Sequence, residues 1–165
     1  MRPSSNLSRT SSNALRPIPA TIVCGPPGSG KTTYVNEKVR SGDLILDVDA
    51  IYAAVAGEPW YSKPAGLLPV VLAVRDAILE QIRMGNDDIR HAWVISSEAD
   101  PNKRAELLQQ CGGGQIVVLE VSGGECLRRI AADPRRGRHA DLWKPLIDKW
   151  WAGYWQGQNE TIVRS

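Results

Sequence analysis

The sequence predicts an α/β domain of three layers, a mainly parallel sheet of four or five strands covered by helices on both faces. Three observations carry that prediction. Short β-branched runs alternate with stretches whose apolar residues recur every three or four positions. Glycine or proline marks most changes from one pattern to the other, as at Gly25, Gly85, Pro101 and Gly112. The alternation repeats along the chain, as expected where helices connect parallel strands by right-handed crossovers.

The elements follow in order. TIVCG, from Thr21 to Gly25, reads as a buried strand stopped by glycine. A helix is expected from Lys31 to Val39, ending near Gly42. LILDV, from Leu44 to Val48, reads as a second strand. Pro64 to Pro69 opens a longer helix, with Leu67, Val71, Val74, Ile78 and Ile82 on one stripe and Gly85 as its stop. AWVIS, from Ala92 to Ser96, is a third strand. Asp100-Pro101 has the acid and first-turn proline of a helix start, and that helix closes at Gly112. IVVLEV, from Ile116 to Val121, is a fourth strand. A helix from about Gly124 to Ala132 follows, then an arginine-rich stretch. A last helix from about Leu142 to Tyr154 places Trp143, Ile147, Trp150 and Tyr154 on one stripe. TIVRS at the end reads either as a fifth strand or as tail.

Size and composition bound the rest. With 165 residues, 42% of them hydrophobic, the chain has enough for one core and too little for two. Phe is absent, and six Trp supply most of the aromatic bulk. A net charge of +2 permits an anionic substrate without arguing for one. Cys24, Cys111 and Cys126 are odd in number and widely spaced. That argues against a disulfide framework or zinc site and for a reducing, cytoplasmic setting. No apolar run approaches membrane-spanning length. Residues 1–18 contain no acid and are rich in Ser, Asn and Arg. They read as a disordered basic tail, with a transit peptide as the other reading, and 19–165 read as the folded domain.

GPPGSGKTT, from Gly25 to Thr33, carries the chemistry. Gly25, Gly30, Lys31 and Thr32 match G-x-x-x-x-G-K-[ST], after a strand and before a helix, as a phosphate-binding loop requires. Glycines let the backbone of Gly25, Pro26, Pro27, Gly28, Ser29, Gly30 and the residues after them curl so that N–H groups face phosphate oxygens. The helix start adds its positive end. Lys31 reaches terminal phosphates, and the Thr32 hydroxyl suits the oxygen shell of Mg²⁺. The expected ligands are therefore ATP and Mg²⁺. A chance glycine-rich turn would lack this context.

Asp47 and Asp49 lie two apart, on one face if both belong to the strand. A carboxylate at the strand's end can take a proton from an attacking hydroxyl or orient Mg²⁺. For Asp49 an equally weighted reading is the cap of a helix beginning near Ala50. Asp47 is costly inside an apolar run unless it is paired near the metal or ends the strand. After the third strand come Ser96, Ser97 and Glu98, where many phosphate-loop proteins have an Asp that holds Mg²⁺ through water. Glu98 is long enough to substitute, whereas Asp100 reads as a cap. Arg128, Arg129, Arg135, Arg136 and Arg138 are five arginines in eleven positions. With Pro134 and Gly137 between two helices they read as a mobile lid. Such a lid can bring guanidinium groups to a transferring phosphate, and Arg129 and Arg136 are the candidates. The bland alternative is a solvated basic turn or a nucleic-acid backbone contact. His91 and His139 read as solvent-facing, and the last helix's tryptophans as core. Trp60 and Tyr61 lie in a loop, suited to stack on a base or merely to pin that loop.

The order of phosphate loop, acid pair, serine-rich strand end and RR…RRG stretch resembles the small P-loop kinases. These include AAA_33-like ATP-binding proteins, zeta-toxin-like kinases and small-metabolite kinases. The chain most resembles the kinase domain of phage polynucleotide 5′-kinase, over roughly Thr21 to Tyr154. The resemblance implies a P-loop NTPase fold, Asp49 as base on the acceptor hydroxyl, Lys31 and Thr32 serving ATP and Mg²⁺, and Arg129 and Arg136 in the lid. It also implies host cytoplasm if the chain is phage-encoded. Metal ligands would be Thr32, Asp47 and Glu98. Two positions depart from that pattern: Tyr52 stands near the place of an arginine for an acceptor phosphate, and Ser97-Glu98 stands at the place of an Asp. The expected activity is transfer of the γ-phosphate to a hydroxyl, with a nucleotide or nucleic-acid 5′-hydroxyl among the acceptors. Two alternatives are a P-loop ATPase accessory to a larger nucleic-acid machine and a nucleic-acid-binding protein that uses the basic tail.

Overall fold

The computed structural model describes residues 14–57 and 62–165. Trp60 and Tyr61 lie outside the described residues. The order is β1 (Ala20–Cys24), α1 (Lys31–Asn36), β2 (Leu44–Asp47), α2 (Val48–Ala56), α3 (Leu68–Met84), β3 (Ala92–Ser96), α4 (Pro101–Gln110), β4 (Gln115–Glu120), α5 (Gly123–Ala132), α6 (Ala140–Gly153) and β5 (Glu160–Arg164). Short 3₁₀ turns at Ala65–Leu67 and Gly137–His139 lead into α3 and α6.

The strands form one sheet in the order β2-β3-β1-β4-β5, with every pairing parallel. The fifth strand is therefore real: Glu160 to Arg164 pairs with Ile116 to Glu120. Both faces of the central strand are buried, which explains why β1 reads as a continuous apolar run rather than an alternation. Ile22 and Cys24 point into one core with Leu79 and Ile82 of α3, while Val23 points into the other with Val35 of α1 and Cys126 and Ile130 of α5. Each of these fully buried aliphatic side chains contributes about 1.5–3 kcal/mol. Helix α6 serves both cores, with Ile147 in the second and Trp150 in the first. Ile18 is also buried and donates its N–H to the Ile82 carbonyl at 2.8 Å.

Several local expectations need correction. α1 ends at Asn36 rather than Val39, and a turn continues the chain. Strand β2 stops at Asp47, and α2 begins at Val48 instead of Ala50. Asp47, not Asp49, is the cap, since its carboxylate accepts the Asp49 N–H at 2.9 Å. Asp49 thus lies in the first helical turn, and the two acids do not share a strand face. Val74 is 36% exposed, so only part of the predicted α3 stripe is core. His91 is not solvent-facing. Its Nε2 lies 2.9 Å from the Thr21 hydroxyl and its ring packs against Trp93 at 4.6 Å. The three cysteines are free and buried.

Candidate active site

The site lies at the carboxyl ends of β1, β2 and β3, where chains leave a parallel sheet and ligands gather. A cleft of about 1150 Å³ opens there, walled by the loop between β1 and α1, the starts of α2 and α4, the α5–α6 turn and α6.

The phosphate loop is built locally. Gly28 (φ 80°) and Gly30 (φ 90°) take left-handed backbone conformations. Gly28 is also a close approach: a Cβ there would meet the Cys126 carbonyl at 2.7 Å. The Lys31 ammonium folds back over the loop and donates to the carbonyls of Gly25 and Pro26, both at 2.9 Å. Desolvation lowers the Lys31 pKa to about 8, and the Arg136 guanidinium pushes in the same direction. Ser29 Oγ is buried with no hydrogen-bond partner.

Arg129 and Arg136 both reach the cleft, from different supports. Arg129 belongs to α5 rather than to the turn beyond it. It donates to the Ser29 carbonyl at 3.0 Å and to Glu125 at 2.7 Å, so it braces the phosphate loop from the side. Hydrogen bonds from Arg128 and Arg129 hold the Glu125 carboxyl down at a pKa of about 2. Arg136 sits in the turn after α5, 5.3 Å from the Trp143 ring and 3.9 Å from Asp133.

The acids arrive from two strand ends. Burial raises the Asp47 pKa, opposed by the hydrogen bond from Asp49 N–H. Asp49 pairs with Lys63 at 2.5 Å. Glu98 lines the same cleft, where its carboxylate accepts the Asp100 N–H at 3.0 Å and its own N–H donates to the Ser96 hydroxyl at 3.1 Å. Asp100 caps α4 as expected, by accepting the Asn102 N–H at 2.8 Å. Thr32, Asp47 and Glu98 all line the cleft, a hard-oxygen donor set suited to Mg²⁺, which takes one or two carboxylates and fills its shell with phosphate oxygens and water. Among the described residues, no three of His, Cys, Asp and Glu converge as a metal cluster, and such a cation does not need one.

A family described as "AAA domain" (AAA_33) matches residues 21–142, from the first strand to the start of α6. The chain belongs to that family. Solved structures agree on the fold. A gluconokinase from Sinorhizobium meliloti 1021 is similar at 18% identity and TM-score 0.54, over 90% of this chain and 83% of that one. A shikimate kinase from Bacteroides thetaiotaomicron is similar at 17% identity and TM-score 0.55, over 88% and 85%. The Pnkp1/Rnl/Hen1 RNA repair complex contains a chain similar at 10% identity and TM-score 0.59, over 87% of this chain and 48% of that one. No curated protein matches. The fold of this AAA-domain chain is thus the α/β P-loop kinase fold expected from the sequence.

Other residues of the cleft carry no sequence signal. Lys63, Arg75 and Lys149 line it from three separate segments. Behind it lies Arg104, fully buried, with Nε and Nη2 on the two oxygens of Glu160 at 2.7 and 2.9 Å. The same guanidinium donates to the carbonyls of Ala99 at 2.5 Å and Trp155 at 2.9 Å. Arg104 and Glu160 are 56 residues apart, so no local pattern announces the pair.

Proposed function

We propose that the chain is an ATP-dependent phosphotransferase that moves the γ-phosphate to a hydroxyl acceptor. The observation that carries this reading is the meeting, in one cleft, of the Lys31-capped phosphate loop with Asp49 and Arg136. The loop amides and Lys31 hold the polyphosphate. Thr32, with Asp47 and Glu98, would hold Mg²⁺, which supplies neutralising charge at the phosphates. Asp49 takes the proton from the acceptor hydroxyl as its oxygen attacks the γ-phosphorus. The bond from that phosphorus to the β,γ-bridging oxygen breaks, and ADP leaves with the electron pair. Lys63 orients the Asp49 carboxylate, and an acceptor must loosen that ion pair to reach it. Arg136 places positive charge beside the transferring group, while Arg129 acts through the loop by fixing the Ser29 carbonyl.

The test is transfer from γ-labelled ATP to a panel of 5′-hydroxyl oligonucleotides, nucleosides and sugars. Labelled product is expected with at least one acceptor. ATP binding without transfer to any of them would overturn the assignment.

A second reading, a nucleotide-binding module that hydrolyses ATP only within a larger assembly, draws on one feature. Leu68, Val70 and Val74 of α3 and Ile45 of the edge strand β2 are 36–48% exposed. Hydrolysis appearing only in a stable complex recovered by pull-down would favour it. Kinase activity of the isolated chain would remove it.

A further inference from the structure

The cleft is larger than one ligand needs. Its volume of about 1150 Å³ exceeds the roughly 300–1000 Å³ usual for a single small-molecule site. The phosphate loop, Arg129 and Arg136 account for one end. One wall is a face of α6 that begins beside Arg136, 5.3 Å from the Trp143 ring: Trp143, Leu146, Trp150 and Gly153 fall at i, i+3, i+7 and i+10, and all line the cleft. Leu146 is 49% exposed, and the wall continues beyond the helix to Trp155, 55% exposed. Among the described tryptophans only Trp155 is exposed. Its neighbour Tyr154 is already stacked on Trp150, with centroids 4.5 Å apart and planes 15° apart.

An exposed indole just after a helix end would ordinarily be surface noise. Here its backbone is pinned. The Trp155 carbonyl accepts from Arg104, the guanidinium that also binds Glu160 and the Ala99 carbonyl. One buried cation therefore ties the end of α6 to the loop that carries Glu98 and Ala99, and holds the Trp155 backbone beside that loop at the cleft. A flat, solvent-facing ring on a pinned backbone, in a cleft continuous with a phosphate loop, suits a planar partner. An open-chain polyol has no face to lay on it.

We propose that Trp155 determines acceptor specificity, and that the acceptor is a hydroxyl compound with a planar ring, which stacks on the indole. This rests on the phosphotransfer reading. It is tested by binding rather than turnover, so that the two can fail separately. The protein is first loaded with Mg²⁺ and a non-hydrolysable ATP analogue. Calorimetry then measures the binding of a purine nucleoside, a pyrimidine nucleoside, a phenyl glucoside and gluconate to wild type, Trp155→Ala and Trp155→Phe. At least one ring compound is expected to bind better than gluconate. Trp155→Ala should weaken it about tenfold or more, and Trp155→Phe should retain most of the affinity. Affinity for the ATP analogue should not change. Because Trp155 is largely exposed, neither variant threatens the core. The proposal is overturned if no ring compound binds, if gluconate binds as well, if the alanine variant binds ring compounds unchanged, or if it loses the ATP analogue instead. Ring binding that depends on Trp155, without phosphate transfer, would uphold the stacking role of Trp155 and overturn both phosphotransfer and the ring compound's place as acceptor. Transfer to gluconate untouched by Trp155→Ala would uphold phosphotransfer and overturn this proposal.

Discussion

The two halves of the cleft are made differently. The phosphate half comes from nine consecutive residues, Gly25 to Thr33, whose glycines, lysine and hydroxyls act where they stand in the chain. The other half, the proposed acceptor side, is gathered from α2, the segment before α3, α3 itself, the β3–α4 loop and α6. Its parts are held by contacts between residues far apart in sequence, such as Arg104 with Glu160 and with the Trp155 carbonyl. A loop of local design keeps its chemistry through large changes elsewhere. A wall of assembled parts can change its ligand through a single substitution without disturbing the loop.

The largest effect expected from this contrast is on turnover alone. Asp49→Asn should lower kcat by about 10²–10⁴-fold, since it removes the proposed base, while leaving ATP affinity within about twofold. Loss of ATP binding in that variant, by calorimetry, would erase the division between the halves.

Next comes stability. Arg104→Met leaves the Glu160 carboxylate buried without its counter-ion and three loop carbonyls without their donor. Urea unfolding should show a loss of about 3–5 kcal/mol. Adding Glu160→Gln should recover part of it. A full loss that the second substitution does not relieve would mean that the carbonyl contacts, not the ion pair, hold the wall.

A smaller and purely electrostatic effect concerns pH. The folded pKa of Lys31, about 8, lies below the ordinary lysine value of 10.5. Between those values the unfolded chain binds more protons than the folded one, so stability of the nucleotide-free protein should rise as pH climbs through that window. ATP affinity should move the other way. The phosphates require the protonated ammonium, so affinity should be flat below about pH 8 and fall toward tenfold per pH unit above it. Parallel trends in thermal unfolding and ATP titration would contradict this placement of the charge.

The same contrast explains what could be read from the sequence. Most of the layered fold was legible because β1, β3 and β4 are dense apolar runs and some helix starts carry their own signal, as at Asp100-Pro101, whereas the start of α2 and the short, mixed β5 do not. The phosphate loop was legible for the same reason. Asp47 and Asp49 were found but their geometry was not, because one backbone hydrogen bond decides whether Asp49 ends a strand or begins a helix. His91 was misjudged because its hydrogen-bond partner, Thr21, comes into reach only when β1 and β3 pair, while the packing of its ring on Trp93, two residues along, shows only once the strand is formed. Lys63, Arg75, Arg104 and Trp155 stayed hidden, since their roles arise from tertiary contact and leave no spacing behind.

The central claim is that Lys31 and the loop beneath it grip the nucleotide. Calorimetry of Mg²⁺-ATP with wild type and Lys31→Ala tests it directly, with circular dichroism to check that the variant is folded. The wild type should bind saturably, and the variant should lose at least about 100-fold in affinity while keeping its fold, a change of about 2.7 kcal/mol. Equal binding by a folded Lys31→Ala protein would put the triphosphate somewhere other than this loop.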